Sequence, residues 1–232
     1  VIDRRPEDVL RFFLVEGRLD SMRSELRVLA ERRVPYRVVS REELDRIAGG
    51  LHHEGVCVIA RELLPMGIAE LERRVQASSG PLCLLYLDAV RNPHNLGAIL
   101  RSAAHFGARA VLGPAEETPE LGPAAARIAE GGAEHVSIVR LRDPERELAR
   151  LGSLGMALVG TDSEAKSSLF DVKLPPRSIL LLGAEREGLG SALRNRCDLV
   201  VRIPGTGSVQ SLNVAAASAV MLAEHLRQNP RR

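Results

Sequence analysis

Short apolar runs separated by polar or glycine-rich turns recur along this chain, and their spacing predicts its elements. Residues 82–87, 110–112, 136–139, 157–160, 179–182 and 199–203 are too short for helices and apolar enough to be buried strands. Stretches of helical period lie between them. After the turn residues Asn92, Pro93 and Asn95, the apolar positions Leu96, Ile99, Leu100, Ala103, Ala104 and Phe106 recur at that period, and Gly107 is placed to end the helix. Strands alternating with helices predict an α/β fold with a mostly parallel sheet covered on both faces.

Upstream the alternation is on a smaller scale. Residues 6–17 read as a helix with Pro6 and acids in the first turn and Gly17 at its end. A second helix is expected over 21–33, with Met22, Leu26 and Leu29 on its apolar face, then a strand over 35–39. Ser40 and Glu43 fit a capping box opening a helix through Ile47, closed by Gly49 and Gly50, and 55–60 reads as another buried strand. This makes a small α/β module. Residues 64–81 read as a short helix and a linker, so the expected boundary is near Ser78, with domains 1–77 and 78–232.

Composition narrows the function little. Hydrophobic residues make up 45% and charged residues 27%, ordinary for a globular protein, and a formal charge of +2 excludes a polycationic nucleic-acid coat. Lys166 and Lys173 are the only lysines. Arginine forks suit phosphate, although a codon bias toward arginine gives the same count. Cys57, Cys83 and Cys197 are odd in number and not at metal-ligand spacing, and the first two lie in apolar runs. Adjacent His52 and His53 point in different directions with no third ligand near, which favours a loop that positions backbone or touches RNA over a zinc pair; no metal is expected. With no signal peptide and no apolar stretch of about 18–20 residues, a cytoplasmic, reduced protein is expected, and no membrane partner. Val1 stands where a methionine would, so upstream residues are expected to have been removed.

Chemistry concentrates in three turns that follow short apolar runs. In 88–107, Arg101 sits inside the apolar helical pattern, where a cation needs an anion or a route to solvent. In 179–190, Gly183 allows close approach to a ligand, Ala184 is small, Glu185 puts an acid at the mouth of the sheet, and Gly188 and Gly190 keep the turn tight. A plain strand-to-helix turn has the same pattern. The third, 200–214, carries Gly205-Thr206-Gly207, which lacks the third glycine of a dinucleotide fingerprint, then Ser211-Leu212-Asn213 and an alanine-rich helix.

In this order and spacing the three stretches resemble the SPOUT superfamily of RNA methyltransferases, specifically its SpoU/TrmH branch of ribose 2'-O-methyltransferases, from about Leu82 to Gln228. The resemblance implies a C-terminal domain tied in a trefoil knot with S-adenosylmethionine bent into it. It also implies an L30e-like substrate-binding domain before it, a homodimer paired through the C-terminal domain, and tRNA or rRNA as partner. It assigns the cofactor to Thr161, Gly183, Ala184, Glu185, Gly188, Ile203, Pro204, Ser211, Leu212 and Asn213, and catalysis to Asn95, Arg101, Glu185, Ser211 and Asn213. Ser211 is equally suited to cap the following helix, and Asn213 to brace the turn. A guanidinium with a pKa above ~12 is an awkward base. Arg101 is therefore expected to clamp an RNA phosphate and stabilise the developing ribose alkoxide, while that phosphate or water takes the proton. His94 is a weaker base candidate and His105 a surface residue.

One stretch departs from the pattern. Residues 129–135 read Ala-Glu-Gly-Gly-Ala-Glu-His where many relatives have a run like Ser-Ala-Gly-Ala, so Glu130 brings negative charge to the expected RNA path and leaves the RNA target open. The alternative function is a noncatalytic RNA-binding or ribosome-associated protein that keeps the fold. The intact Asn95, Arg101, Glu185, Ser211 and Asn213 weigh against it.

Overall fold

Two units, Val1–Leu63 and Leu64–Arg232, make up the computed structural model, which describes residues 1–184 and 188–230. The first unit runs β1 (Val9–Leu14), α1 (Arg23–Glu31), β2 (Tyr36–Val38), α2 (Arg41–Ala48) and β3 (Val56–Ala60). β1 is the central strand, parallel to β2 and antiparallel to β3.

That strand corrects the expected helix over 6–17, of which only a 3₁₀ turn at Pro6–Asp8 is helical. Val9, Phe12 and Leu14 enter one core with Leu29 of α1, while Phe13 enters another with Val39 and Leu44. A strand buried on both faces is apolar without alternation, and such a run imitates a helical pattern. The α2 boundaries follow expectation: the Ser40 side chain accepts from the Glu43 amide at 3.2 Å, and Gly49 closes the helix at φ 67°. His53 is buried against Asp45, Nε2 to Oδ1 at 2.7 Å, while its Nδ1 accepts from the Gly55 amide at 3.0 Å. This fixes the neutral tautomer with the proton on Nε2. His53 therefore positions backbone, and His52 is exposed.

The second unit begins at α3 (Ile68–Ala77) and continues through β4 (Leu82–Leu87), α4 (Pro93–Phe106), β5 (Ala110–Pro114), α5 (Pro123–Ile128), β6 (Ser137–Leu141) and α6 (Pro144–Ser153). Then follow β7 (Ala157–Thr161), β8 (Ser167–Ser168), β9 (Arg177–Leu182), α7 (Ser191–Arg194), β10 (Leu199–Arg202) and α8 (Val214–Gln228). The strands form one parallel sheet in the order β6-β5-β4-β9-β7-β10-β8. The division falls before α3 rather than near Ser78. Leu71 and Val75 of α3 share a core with Leu82, Leu84 and Tyr86. The Arg177 guanidinium also donates to the carbonyls of Val75 and Ser78, at 2.9 and 2.7 Å. The Ser-Ser-Gly stretch at 78–80 is thus a loop inside the unit.

Alternating strand residues face opposite layers. Leu82, Leu84 and Tyr86 face Leu71, Val75, Leu148 and Leu151 of α3 and α6. On the other face α4 packs with α5 and α8. Because β9 is inserted between β4 and β7, segments far apart in sequence meet at one end of the sheet. The two-residue β8 is too short to leave a periodic signal.

Candidate active site

A cleft of about 420 Å³ opens where β7, β9 and β10 end side by side, within the size range of small-ligand sites. In a parallel sheet the strand ends point the same way, so the following turns gather around one crevice. Thr161 at the end of β7 and Asp162 after it, Gly183, Ala184 and Gly188 after β9, and Ile203, Ser211 and Leu212 after β10 all line it. Seven expected cofactor residues therefore converge: Thr161, Gly183, Ala184, Gly188, Ile203, Ser211 and Leu212. Glu185 lies outside the described residues. Pro204 is exposed, and neither it nor Asn213 lines the cleft.

Gly183 is required by packing. A Cβ there would collide with the backbone carbonyl of Gly188 and the amide of Leu189. The chain folds back tightly, with the Gly188 amide donating to the Ala184 carbonyl at 2.8 Å and Gly188 at φ 68°. The Thr161 hydroxyl donates to the Leu181 carbonyl at 3.2 Å, joining the ends of β7 and β9.

Ser211 lines the cleft and does not cap α8. Asn213 is the cap, its side-chain oxygen accepting from the Ala215 amide at 2.9 Å. The Asn213 amide group also donates to Asn95 Oδ1 at 3.2 Å, tying the first and third motifs together. The Asn95 side is prepared by the expected start of α4, where Asn92 caps by accepting from the His94 amide at 2.9 Å. Arg101 is half-exposed, outside the cleft lining, and paired with Glu130, Nη1 to Oε1 at 2.7 Å. Both outcomes open to a cation in an apolar helix, an anion and a route to solvent, are realised. His94 and His105 are exposed.

Two acids stand at the site unforeseen. Asp162 is held below the usual carboxylate range, first by the Glu164 amide it accepts from at 2.8 Å and then by Arg194. Asp88 Oδ2 accepts from the Gly190 amide at 2.9 Å, pinning Gly190 to the end of β4. Burial, and then the Asp88 charge, push the Tyr86 phenol well above its ordinary value. An acid directly after a buried strand was the available signal for both: Leu87-Asp88 and Thr161-Asp162. Among the described residues no three His, Cys, Asp or Glu side chains cluster as a metal site would need, and no helix is long and apolar enough to cross a membrane.

Known proteins match both units. Residues 83–223 match the SpoU rRNA Methylase family, and residues 1–66 match the family described as RNA 2'-O ribose methyltransferase substrate binding. The chain is 39% identical over 229 residues to the 23S rRNA (guanosine-2'-O-)-methyltransferase RlmB of Pseudomonas syringae pv. tomato, covering 98% of this chain and 91% of that one. A crystal structure of an RNA 2'-O ribose methyltransferase is 26% identical with a TM-score of 0.74, over 98% of this chain and 85% of that one. The SpoU methyltransferase AviRb from Streptomyces viridochromogenes, in complex with AdoMet, shares the fold at a TM-score of 0.78 and 24% identity, over 98% of this chain and 87% of that one. Matched along both of its units, the chain belongs to the SpoU family of RNA 2'-O-ribose methyltransferases.

Proposed function

We propose that this chain holds S-adenosylmethionine in the cleft after β7, β9 and β10 and methylates a ribose 2'-hydroxyl of ribosomal RNA. The observation that carries the reading is the convergence of three distant turns around Gly183, where backbone comes so close that no side chain fits. The lining suits the cofactor. Leu182, Leu189, Ile203 and Leu212 offer apolar surface to an adenine, and Thr161 and Ser211 offer polar groups to a ribose. Asp162, kept ionised, faces the cleft as a counter-charge for a cationic ligand. When bound, S-adenosylmethionine supplies an electrophilic methyl group on a sulfonium. Arg101 clamps an RNA phosphate and stabilises the alkoxide that develops on the ribose. Because its guanidinium stays protonated, the hydroxyl proton passes to a phosphate oxygen or to water. Asn95 and Asn213, bonded to each other, hold the first and third motifs in register. The rRNA guanosine named for the RlmB relative supports the choice of substrate class.

The first unit, L30e-like, binds the RNA, supported by its match to a substrate-binding family. The second unit pairs with a second copy. Arg101 stands outside its own protomer's cleft, and Val209, Leu212 and Phe170 leave apolar surface exposed. The trefoil knot belongs to the same proposal, supported by the late strand β9 lying between β4 and β7 and by α8 returning against α4. The work is done in the cytoplasm, where ribosomal RNA is.

Calorimetric titration with S-adenosylmethionine and S-adenosylhomocysteine tests this, using wild type and Ala217→Trp, which fills the cleft from α8. Micromolar binding by wild type, lost in the variant, and methyl transfer to a 23S rRNA transcript are expected. A folded wild type that binds neither ligand overturns the reading.

A further inference from the structure

We propose that Glu130 is a counter-charge latch on Arg101, which makes RNA phosphate compete with an internal carboxylate and thereby discounts binding to RNA that merely presents charge. The proposal rests on the functional reading above and adds a specificity-determining residue to it. Glu130 lies between α5 and the 3₁₀ turn Gly132–Glu134, and its Oε1 takes Nη1 of Arg101 at 2.7 Å.

The backbone keeps Glu130 there under strain. Its φ is +43°, in the left-handed region that glycine enters freely and glutamate does not, and Gly131 beside it is at +81°. The segment is also pressed onto α4: a Cβ on Gly132 would lie 2.7 Å from the Leu100 carbonyl oxygen and 2.9 Å from the Arg101 Cα. The Glu130 carboxylate is therefore delivered to the guanidinium by a fixed turn rather than by chance on a free surface. Strained non-glycine backbone persists only where the surrounding structure holds it, here the close packing of Gly132 on α4. Both side chains are more than half exposed, 57% and 61%, so a phosphate can reach the pair and replace the carboxylate. An exposed pair of this kind is weak enough to be displaced.

The test uses Glu130→Gln, Glu130→Gly and Arg101→Ala, alone and combined, binding a short oligouridylate as a sequence-poor polyanion across a salt series. Freeing Arg101 should tighten oligouridylate binding roughly two- to fivefold and steepen the plot of log affinity against log salt by about 0.7. Glu130→Gly should do the same and raise the melting temperature, because glycine relieves the left-handed backbone. In the Arg101→Ala background neither change should add anything. With Arg101 intact, Glu130→Gln should keep the wild-type turnover number on a saturating 23S rRNA transcript, whereas every variant carrying Arg101→Ala should lose it. If wild type binds RNA and Glu130→Gln leaves affinity and salt slope unchanged, weakens binding, or acts equally without Arg101, the latch is refuted alone. A wild type that binds no RNA overturns the functional reading and the latch with it.

Discussion

Replacing Gly183 with alanine adds one carbon, and the structure says where it would go. The new Cβ would sit inside the Gly188 carbonyl and against the Leu189 amide, all of it backbone, so no side chain can swing away to make room. The turn must open by an ångström or more, which breaks the Gly188-to-Ala184 hydrogen bond and moves the cleft wall. Overpacking of this kind costs about 1–3 kcal/mol. In a chain of this size that is a fall in melting temperature of roughly 2–12 °C at about 2–4 °C per kcal/mol. A displacement near 1 Å in positioning groups costs about 10²-fold in rate. Neighbouring glycines supply the controls. An alanine at 205 meets nothing within 4 Å and should be silent, whereas at 190 it meets only Asp88 Oδ2, at 3.2 Å, and should cost little. At 188 there is room, but φ is +68°, so strain alone of about 1–2 kcal/mol is expected. Scanning calorimetry and S-adenosylmethionine titration on the four variants give the ranking. Wild-type stability and affinity in Gly183→Ala would refute the steric argument.

Two further outcomes are expected. Asn213→Ala should remove the α8 cap and the bond to Asn95, lowering stability by about 0.5–2 kcal/mol in urea denaturation. Asn213→Asp, which keeps the capping oxygen but cannot donate to Asn95, should recover most of that stability and not the methyl-transfer rate. His53→Ala should leave Asp45 and the buried Gly55 amide without their partner, at about 1–3 kcal/mol by thermal unfolding, with S-adenosylmethionine affinity unchanged. A drop in affinity would mean that His53 does more than brace its turn.

The sequence by itself determined six of the second unit's seven strands, all but β8, because parallel strands covered on both faces are continuously apolar, as in Leu82–Leu87 and the 179–182 run of β9. It determined the ends of two helices that local devices set: Ser40 and Gly49 on α2, Asn92 and Gly107 on α4. It also named seven of the fifteen residues that line the cleft, since the three motifs carry them in short turns. The same rule worked against it at β1, where burial on both faces imitated a helix and only pairing with β2 and β3 decided the matter. Tertiary structure alone decided that α3 joins the second unit, through packing on β4 and through Arg177. It made Asn213 rather than Ser211 the cap, gave Arg101 the partner Glu130, and recruited Asp88 to hold Gly190 across 102 residues. Local propensity and period act over a few neighbours along the chain. Contacts such as Asp88 with Gly190 exist only after the sheet has brought distant strand ends together, and no pattern within a short window carries them.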